Sequence, residues 1–121
     1  MEKTNFNRKA KTSPKIKDRI EAWVAEKGFM AQGTNIEDLA RNLGINRTYV
    51  SNYINDTYCL NFNTWINSLR TAEAQKIMKD NPNISIGQVA IMIGYADITH
   101  FSKQFKLHTG INPSKWKRNN V

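Results

Sequence analysis

Apolar residues recur along most of this chain at intervals of three and four. No segment alternates with period two for long enough to form a strand, so the pattern predicts an all-α fold. One stretch of the pattern occurs twice. Ile36-Glu37-Asp38-Leu39-Ala40-Arg41-Asn42-Leu43-Gly44-Ile45 returns as Ile86-Gly87-Gln88-Val89-Ala90-Ile91-Met92-Ile93-Gly94-Tyr95. The apolar positions, the small Ala and the Gly are held, and the polar positions change. A second apolar pattern follows each Gly, through Tyr49, Val50, Tyr53 and Ile54 in the first copy and His100, Phe101, Gln104 and Phe105 in the second. The offset between copies is 50 positions before the Gly turn (36 to 86) and 51 after it (49 to 100), which puts one extra residue in the second turn. Two short helices joined by a Gly-containing turn, with Ala where they cross, read as a helix-turn-helix.

Start and stop signals place seven helices. Ser13-Pro14 opens the first, with Ser as N-cap and Pro at the first helical position, and Gly28 stops it after Ile16, Ile20, Trp23 and Val24. Thr34 or Asn35 caps the second, with Glu37 or Asp38 as the reciprocal acid and Leu39, Ala40 and Leu43 facing inward. Gly44 supplies a left-handed residue to the turn, and Asn46 caps the third helix. Asn61 or Asn63 opens a long helix to about Asp80 whose expected buried face is Trp65, Ile66, Leu69, Ala72 and Ile77; Asn81-Pro82-Asn83 ends it. Ser85 and Gln88 form a capping box, Asp97 caps the sixth helix, and Asn112-Pro113 starts a short last one containing Trp116. Met78, Met92 and the three tryptophans, Trp23, Trp65 and Trp116, are expected in cores. The organisation expected is an arm or linker remnant over 1–12, a first helix-turn-helix subdomain over 13–61, a linker helix over 62–81 and a second subdomain over 82–121.

The chain has 121 residues. Each copy is about 45 residues, near the lower limit for a self-supporting core, so the halves are expected to lean on a shared element. The formal net charge is +8, from 18 Lys plus Arg against 10 Asp plus Glu. Combined with the repeat, that excess points to a polyanion partner. Cys59 is the one cysteine, which excludes an internal disulfide and a Cys-based zinc site. His100 and His108 have no acidic or Cys partner nearby in sequence, so no metal site is expected. The sequence shows no catalytic triad, paired carboxylates or phosphate-cradling Gly loop, and therefore no enzyme and no cofactor. No apolar run approaches a membrane span and no signal peptide is visible, so the expected place of work is the cytoplasm, without membrane contact by this segment.

In a helix-turn-helix the second helix lays its N-terminal residues against base edges in the major groove. Its outer positions here are Arg47, Thr48, Ser51, Asn52 and Asn55 in the first copy, and Ile98, Thr99, Ser102, Lys103 and Lys106 in the second. Thr and Ile suit a thymine methyl, Asn pairs with adenine, and Lys reaches guanine O6 and N7. Asp97 is the one acid among them and reads as a cap. Arg47, Asn55, Arg70, Lys106, Lys115, Lys117 and Arg118, with Arg8, Lys9 and Lys11 on the arm, are the expected phosphate contacts. The long helix would measure roughly 27 Å, which suits two reading helices about one DNA turn, roughly 34 Å, apart. An RNA partner is disfavoured because the A-form major groove is too narrow for a helix. A helix-turn-helix that has become a protein-interaction module remains the alternative, and it would tolerate the outer acids that are missing here.

The chain from about Lys15 to Arg118 resembles the DNA-binding domain of the AraC/XylS family of transcriptional regulators. The motif Ile86-x-x-Val89-Ala90-x-x-Ile93-Gly94-Tyr95, followed by His100-Phe101-Ser102-x-x-Phe105-Lys106 and Gly110-Ile111-x-Pro113-Ser114-x-Trp116, is similar to that family's signature. Phe62-x-x-Trp65-Ile66-Asn67-x-Leu69-Arg70-x-x-x-Ala74 is similar to its linker helix. The run Asn46 to Asn55 resembles the version in regulators of the Bacteroidetes type. The resemblance implies two helix-turn-helix units on adjacent major grooves of double-stranded DNA, usually with activation of transcription and RNA polymerase as protein partner. It maps the base-reading positions onto Thr48, Ser51 and Asn52, and onto Ile98, Thr99 and Lys103. Ile98 departs from the small polar residue or Gln that the family often carries, so the second half-site is expected to be read more by apolar contact. The family also implies a sensing or dimerising domain, on a longer parent chain or a separate partner. The chain is thus either a short stand-alone regulator or a domain of a longer one, and the linker-like first residues favour the second.

Overall fold

The computed structural model describes residues 14–121; the expected arm and the Ser13 cap lie outside them. Among the described residues there are seven α-helices and no strand. They are α1 (Pro14–Ala25), α2 (Ile36–Leu43), α3 (Arg47–Tyr58), α4 (Phe62–Asp80), α5 (Ile86–Met92), α6 (Ile98–Thr109) and α7 (Pro113–Asn120), with a 3-10 turn at Gly28–Met30. The chain divides into two compact units, one of residues 14–28 with 34–65 and one of 29–33 with 66–121. The division runs through α4 at Trp65 and Ile66, whereas the sequence reading treats that helix as a separate linker.

In the first unit, Ile16 and Ile20 of α1, Leu39 and Ala40 of α2, and Val50, Tyr53 and Ile54 of α3 are buried together with Phe62 and Trp65. Trp65 stacks on Trp23 at 5.9 Å and on Tyr58 at 5.3 Å between ring centroids. Arg19 of α1 donates to the Leu43 carbonyl at 2.7 Å, satisfying an acceptor that the end of α2 would otherwise leave open. Helix α1 ends one step earlier than the sequence suggests. Lys27, not Gly28, takes the left-handed conformation, with φ 62°. Gly28 is needed for another reason: a Cβ there would sit 2.2 Å from the Trp23 indole.

The second unit is built on Ala74, Ile77 and Met78 of α4, Val89, Ala90 and Ile93, Tyr95, and Phe101 and Phe105 of α6. Met30, Ile84, Ile86 and Trp116 pack against that cluster. Burying a side chain such as Phe101 or Phe105 stabilises by about 1.5–3 kcal/mol. Residues 29–33 precede α2 in sequence yet belong here because Arg70 of α4 donates to the Phe29 and Ala31 carbonyls at 2.8 and 3.0 Å. Two core expectations fail. Ala72 is exposed, and the polar Arg70 and Thr71 are buried in the same stretch of α4. Met92 is 47% exposed, not core filler.

Candidate nucleic-acid interface

The two copies end their first helices with the same hydrogen bonds. Gly44 N–H donates to the Arg41 carbonyl and Ile45 N–H to the Ala40 carbonyl, at 3.2 and 3.0 Å. Gly94 donates to Ile91 and Tyr95 to Ala90 at the same distances. This is the Schellman arrangement, which requires a left-handed residue at the Gly position; φ is 68° at Gly44 and 107° at Gly94. The added residue of the second copy, Ala96, lies between this motif and the next cap.

Each second helix then starts from a side-chain cap. Asn46 accepts from Thr48 N–H at 2.8 Å, and Asp97 accepts from His100 N–H at 2.9 Å. The capping box at Ser85 and Gln88 is complete, with reciprocal bonds of 3.0 and 2.9 Å. Asn35, not Thr34, caps α2, and Asn61, not Asn63, bonds the first turn of α4. No acid lies in the first turn of α3, α6 or α7; at α6 the cap itself, the Asp97 carboxylate, faces the positive end of the helix dipole.

On α3, Arg47 and Thr48 are exposed, and Ser51 and Asn52 are half-buried. Asn55 turns its amide back onto the Ser51 carbonyl at 3.0 Å. Arg47 pairs with Glu37 of α2 at 2.7 Å. On α6, Thr99, Lys103 and Lys106 are exposed, and Ile98 is 47% exposed. His100 sets its ring edge-on to Tyr95, 5.0 Å between centroids. Within each unit the expected reading residues therefore share one solvent-facing side of the second helix, starting at its capped N-terminus.

The expected phosphate contacts divide differently. Lys115 and Arg118 on α7 are exposed, as is Lys106. Lys117 is half-buried and donates from Nζ to the Ile84 carbonyl, which ties it to the start of α5. Arg70 must be reassigned. It is 7% exposed, donates to the Phe29 and Ala31 carbonyls and lies over the Tyr95 ring. Such a buried guanidinium holds the second unit together and has no access to a phosphate.

Sequence reasoning gave Glu37 or Asp38 to the α2 cap; the structure uses both as salt-bridge anions, Glu37 to Arg47 and Asp38 to Arg41 at 2.9 Å. A signal for the first pair was present in the repeat, where Glu37 aligns with Gly87 and Arg47 with Ile98. Both charges disappear together. Among the described residues, no helix is long and apolar enough to cross a membrane.

Comparison with known proteins agrees with this geometry. The helix-turn-helix domain family matches residues 39–119, more than half of the chain. A relative in Bacillus subtilis, the uncharacterized HTH-type transcriptional regulator YisR, is 30% identical over 108 residues, covering 87% of this chain and 37% of its own length. The chain spans about a third of the length of this and other curated relatives, 30% of the Msm operon regulatory protein of Streptococcus mutans among them. The C-terminal domain of AraT, a response regulator from Geobacillus stearothermophilus, has the same fold, with TM-score 0.79 at 22% identity over 91% of this chain and 88% of that one. The DNA-binding domain of AdpA, a global transcriptional factor solved in complex with a target DNA, superposes with TM-score 0.72 at 14% identity, over 86% of this chain and 90% of that one. With its repeated Schellman turns, capped second helices and match across residues 39–119, the chain belongs to the helix-turn-helix domain family of the AraC type.

Proposed function

We propose that this chain is a sequence-specific, duplex-DNA-binding regulator of transcription, with α3 and α6 entering successive major grooves. The observation that carries the reading is the repetition itself: two units end on the same turn, cap the next helix and present its outer face to solvent. In this reading Thr48, Ser51 and Asn52 meet one set of base edges, and Ile98, Thr99 and Lys103 meet another. Arg47, Lys106, Lys115 and Arg118 hold phosphates. Lys117 joins them only if it exchanges the Ile84 carbonyl for a phosphate, and Asn55 contributes through whatever its bond to Ser51 leaves free. The AdpA domain, of the same fold, was solved on a target DNA, which supports duplex DNA as the ligand.

The same reading extends to partners. The relatives are about three times longer, so a sensing or dimerising domain in a parent chain or a partner fits this module, as does RNA polymerase if the output is activation. The place of work is then the cytoplasm, where the DNA lies. A titration at fixed salt of duplex DNA, single strands and RNA tests the reading. Duplex binding is expected to dominate, with log K against log salt sloping by roughly −4 to −7 for about five to eight phosphate contacts. Failure to bind any of the three would leave the fold as a protein-interaction module, and equal binding to all three, or a flat salt dependence, would contradict groove reading.

A further inference from the structure

The ion pair between Glu37 and Arg47 joins the first turn of α2 to the first residue of α3. Its Nε–Oε2 distance is 2.7 Å, and the two side chains are 55% and 64% exposed, so the pair sits at the surface. In helix-turn-helix docking the first helix crosses the DNA backbone and the second enters the groove by its N-terminus. The pair therefore lies where a phosphate would approach. The neighbouring Asp38 is engaged with Arg41, so the positive end of α2 already faces two carboxylates.

The second unit lacks this device. Gly87 stands in the place of Glu37 and Ile98 in the place of Arg47. A Cβ on Gly87 would meet nothing within 4 Å, so packing does not forbid a longer side chain there. Both members of the pair are missing together, and Ile98 is left 47% exposed.

We propose that Glu37 is an affinity-setting residue of the first unit, acting through Arg47. In the free protein its carboxylate holds the guanidinium, and docking on a phosphate requires the guanidinium to exchange one anion for another. The second unit docks with no such exchange. Arg47 thus adds less to the first unit's hold on the backbone than an unpaired guanidinium would. This rests on the duplex-DNA reading above and adds to it a residue that limits binding.

The test uses the full chain with Glu37→Gln, Glu37→Asp, Arg47→Ala and the Glu37→Gln/Arg47→Ala double variant. Each is titrated by fluorescence anisotropy against a selected operator duplex and a mixed-sequence duplex over a range of salt. Glu37→Gln is expected to tighten both duplexes by the same factor, up to about eightfold at 0.1 M salt, with a slope steeper by about 0.9, as for one more released counter-ion. Glu37→Asp should keep wild-type behaviour, and Arg47→Ala should cancel the gain in the double variant. Weaker binding by Glu37→Gln, or an unchanged slope with only a lower melting temperature, would make Glu37 an orienting or stabilising residue and overturn the proposal. A gain that survives in the double variant would overturn the route through Arg47. Wild-type chain that binds no duplex at all would instead sink the duplex reading, and this inference with it.

Discussion

Arg70 lies across the ring of Tyr95, with 5.0 Å from guanidinium carbon to ring centroid, and the Tyr95 hydroxyl donates to Asn67 at 2.6 Å. Tyr95 also packs against Phe101 and, edge-on, against His100 of α6. One buried cation thus holds residues 29–31 by their carbonyls and supports the residue that leads into α6. Arg70→Leu is expected to destabilise the second unit by about 2–4 kcal/mol, because it strips donors from buried carbonyls and removes the stack on Tyr95. It should leave the salt slope of duplex binding unchanged under conditions where the protein is folded. Denaturant unfolding with a salt titration checks both, and a slope flatter by about 0.9 would return Arg70 to the phosphate contacts.

The glycines of the two turns share a left-handed φ but not the same space. A Cβ on Gly94 would fall 2.7 Å from the Met30 carbonyl oxygen and 2.9 Å from Arg70 Nη2, whereas on Gly44 the nearest atom is Arg19 Nη1 at 3.9 Å. Gly44→Ala should therefore cost only the backbone term, about 1–2 kcal/mol. Gly94→Ala should cost clearly more, since backbone of residue 30 must also move, and Gly94→Val should unfold the second unit. Equal melting temperatures for the two alanine variants would contradict this difference.

Much of this fold is legible locally. The caps at Asn46, Ser85, Asp97 and Asn112 and the turns at Gly44 and Gly94 depend on residues within one helical turn of each other, so the sequence carries them. Arg70 was not legible. An arginine on a helix of a basic chain looks like a phosphate contact until carbonyls some forty residues away are seen to bury it. The same omission misplaced the inner face of α4. Counting only apolar residues put Ala72 inside, whereas Arg70 and Thr71 take the buried positions, with Thr71 returning its hydroxyl to the Asn67 carbonyl at 2.9 Å. Of the site, the exposed faces of α3 and α6 were readable from periodicity. The hold of Glu37 on Arg47 crosses between helices, and its one trace in the sequence is that both charges are missing together from the second copy.

Burial raises the pKa of the Tyr95 phenol above its ordinary value, and the Arg70 cation opposes that shift. A raised value favours the neutral phenol in the folded state. The associated stability is present below the unfolded pKa, about 10, and is lost as pH rises through the folded value. Tyr95→Phe removes the titrating group together with its bond to Asn67. Below about pH 9 the wild type should be more stable than Tyr95→Phe by about 1 kcal/mol, and the gap should narrow in more alkaline buffer. Urea unfolding of both proteins from neutral to alkaline pH measures the gap; one that stays constant would show that Tyr95 does not titrate as its burial requires.

The central claim is that two helices read two separate stretches of duplex. Selection of bound sequences from a random duplex pool, run on wild type, Asn52→Ala and Lys103→Ala, tests it most directly. Wild type should select two blocks of preferred bases. Asn52→Ala should relax preference within one block and Lys103→Ala within the other, each at about 1–3 kcal/mol, with the untouched block unchanged. If both variants relax the same base pairs, or if wild type selects a single block, α3 and α6 do not read separate grooves.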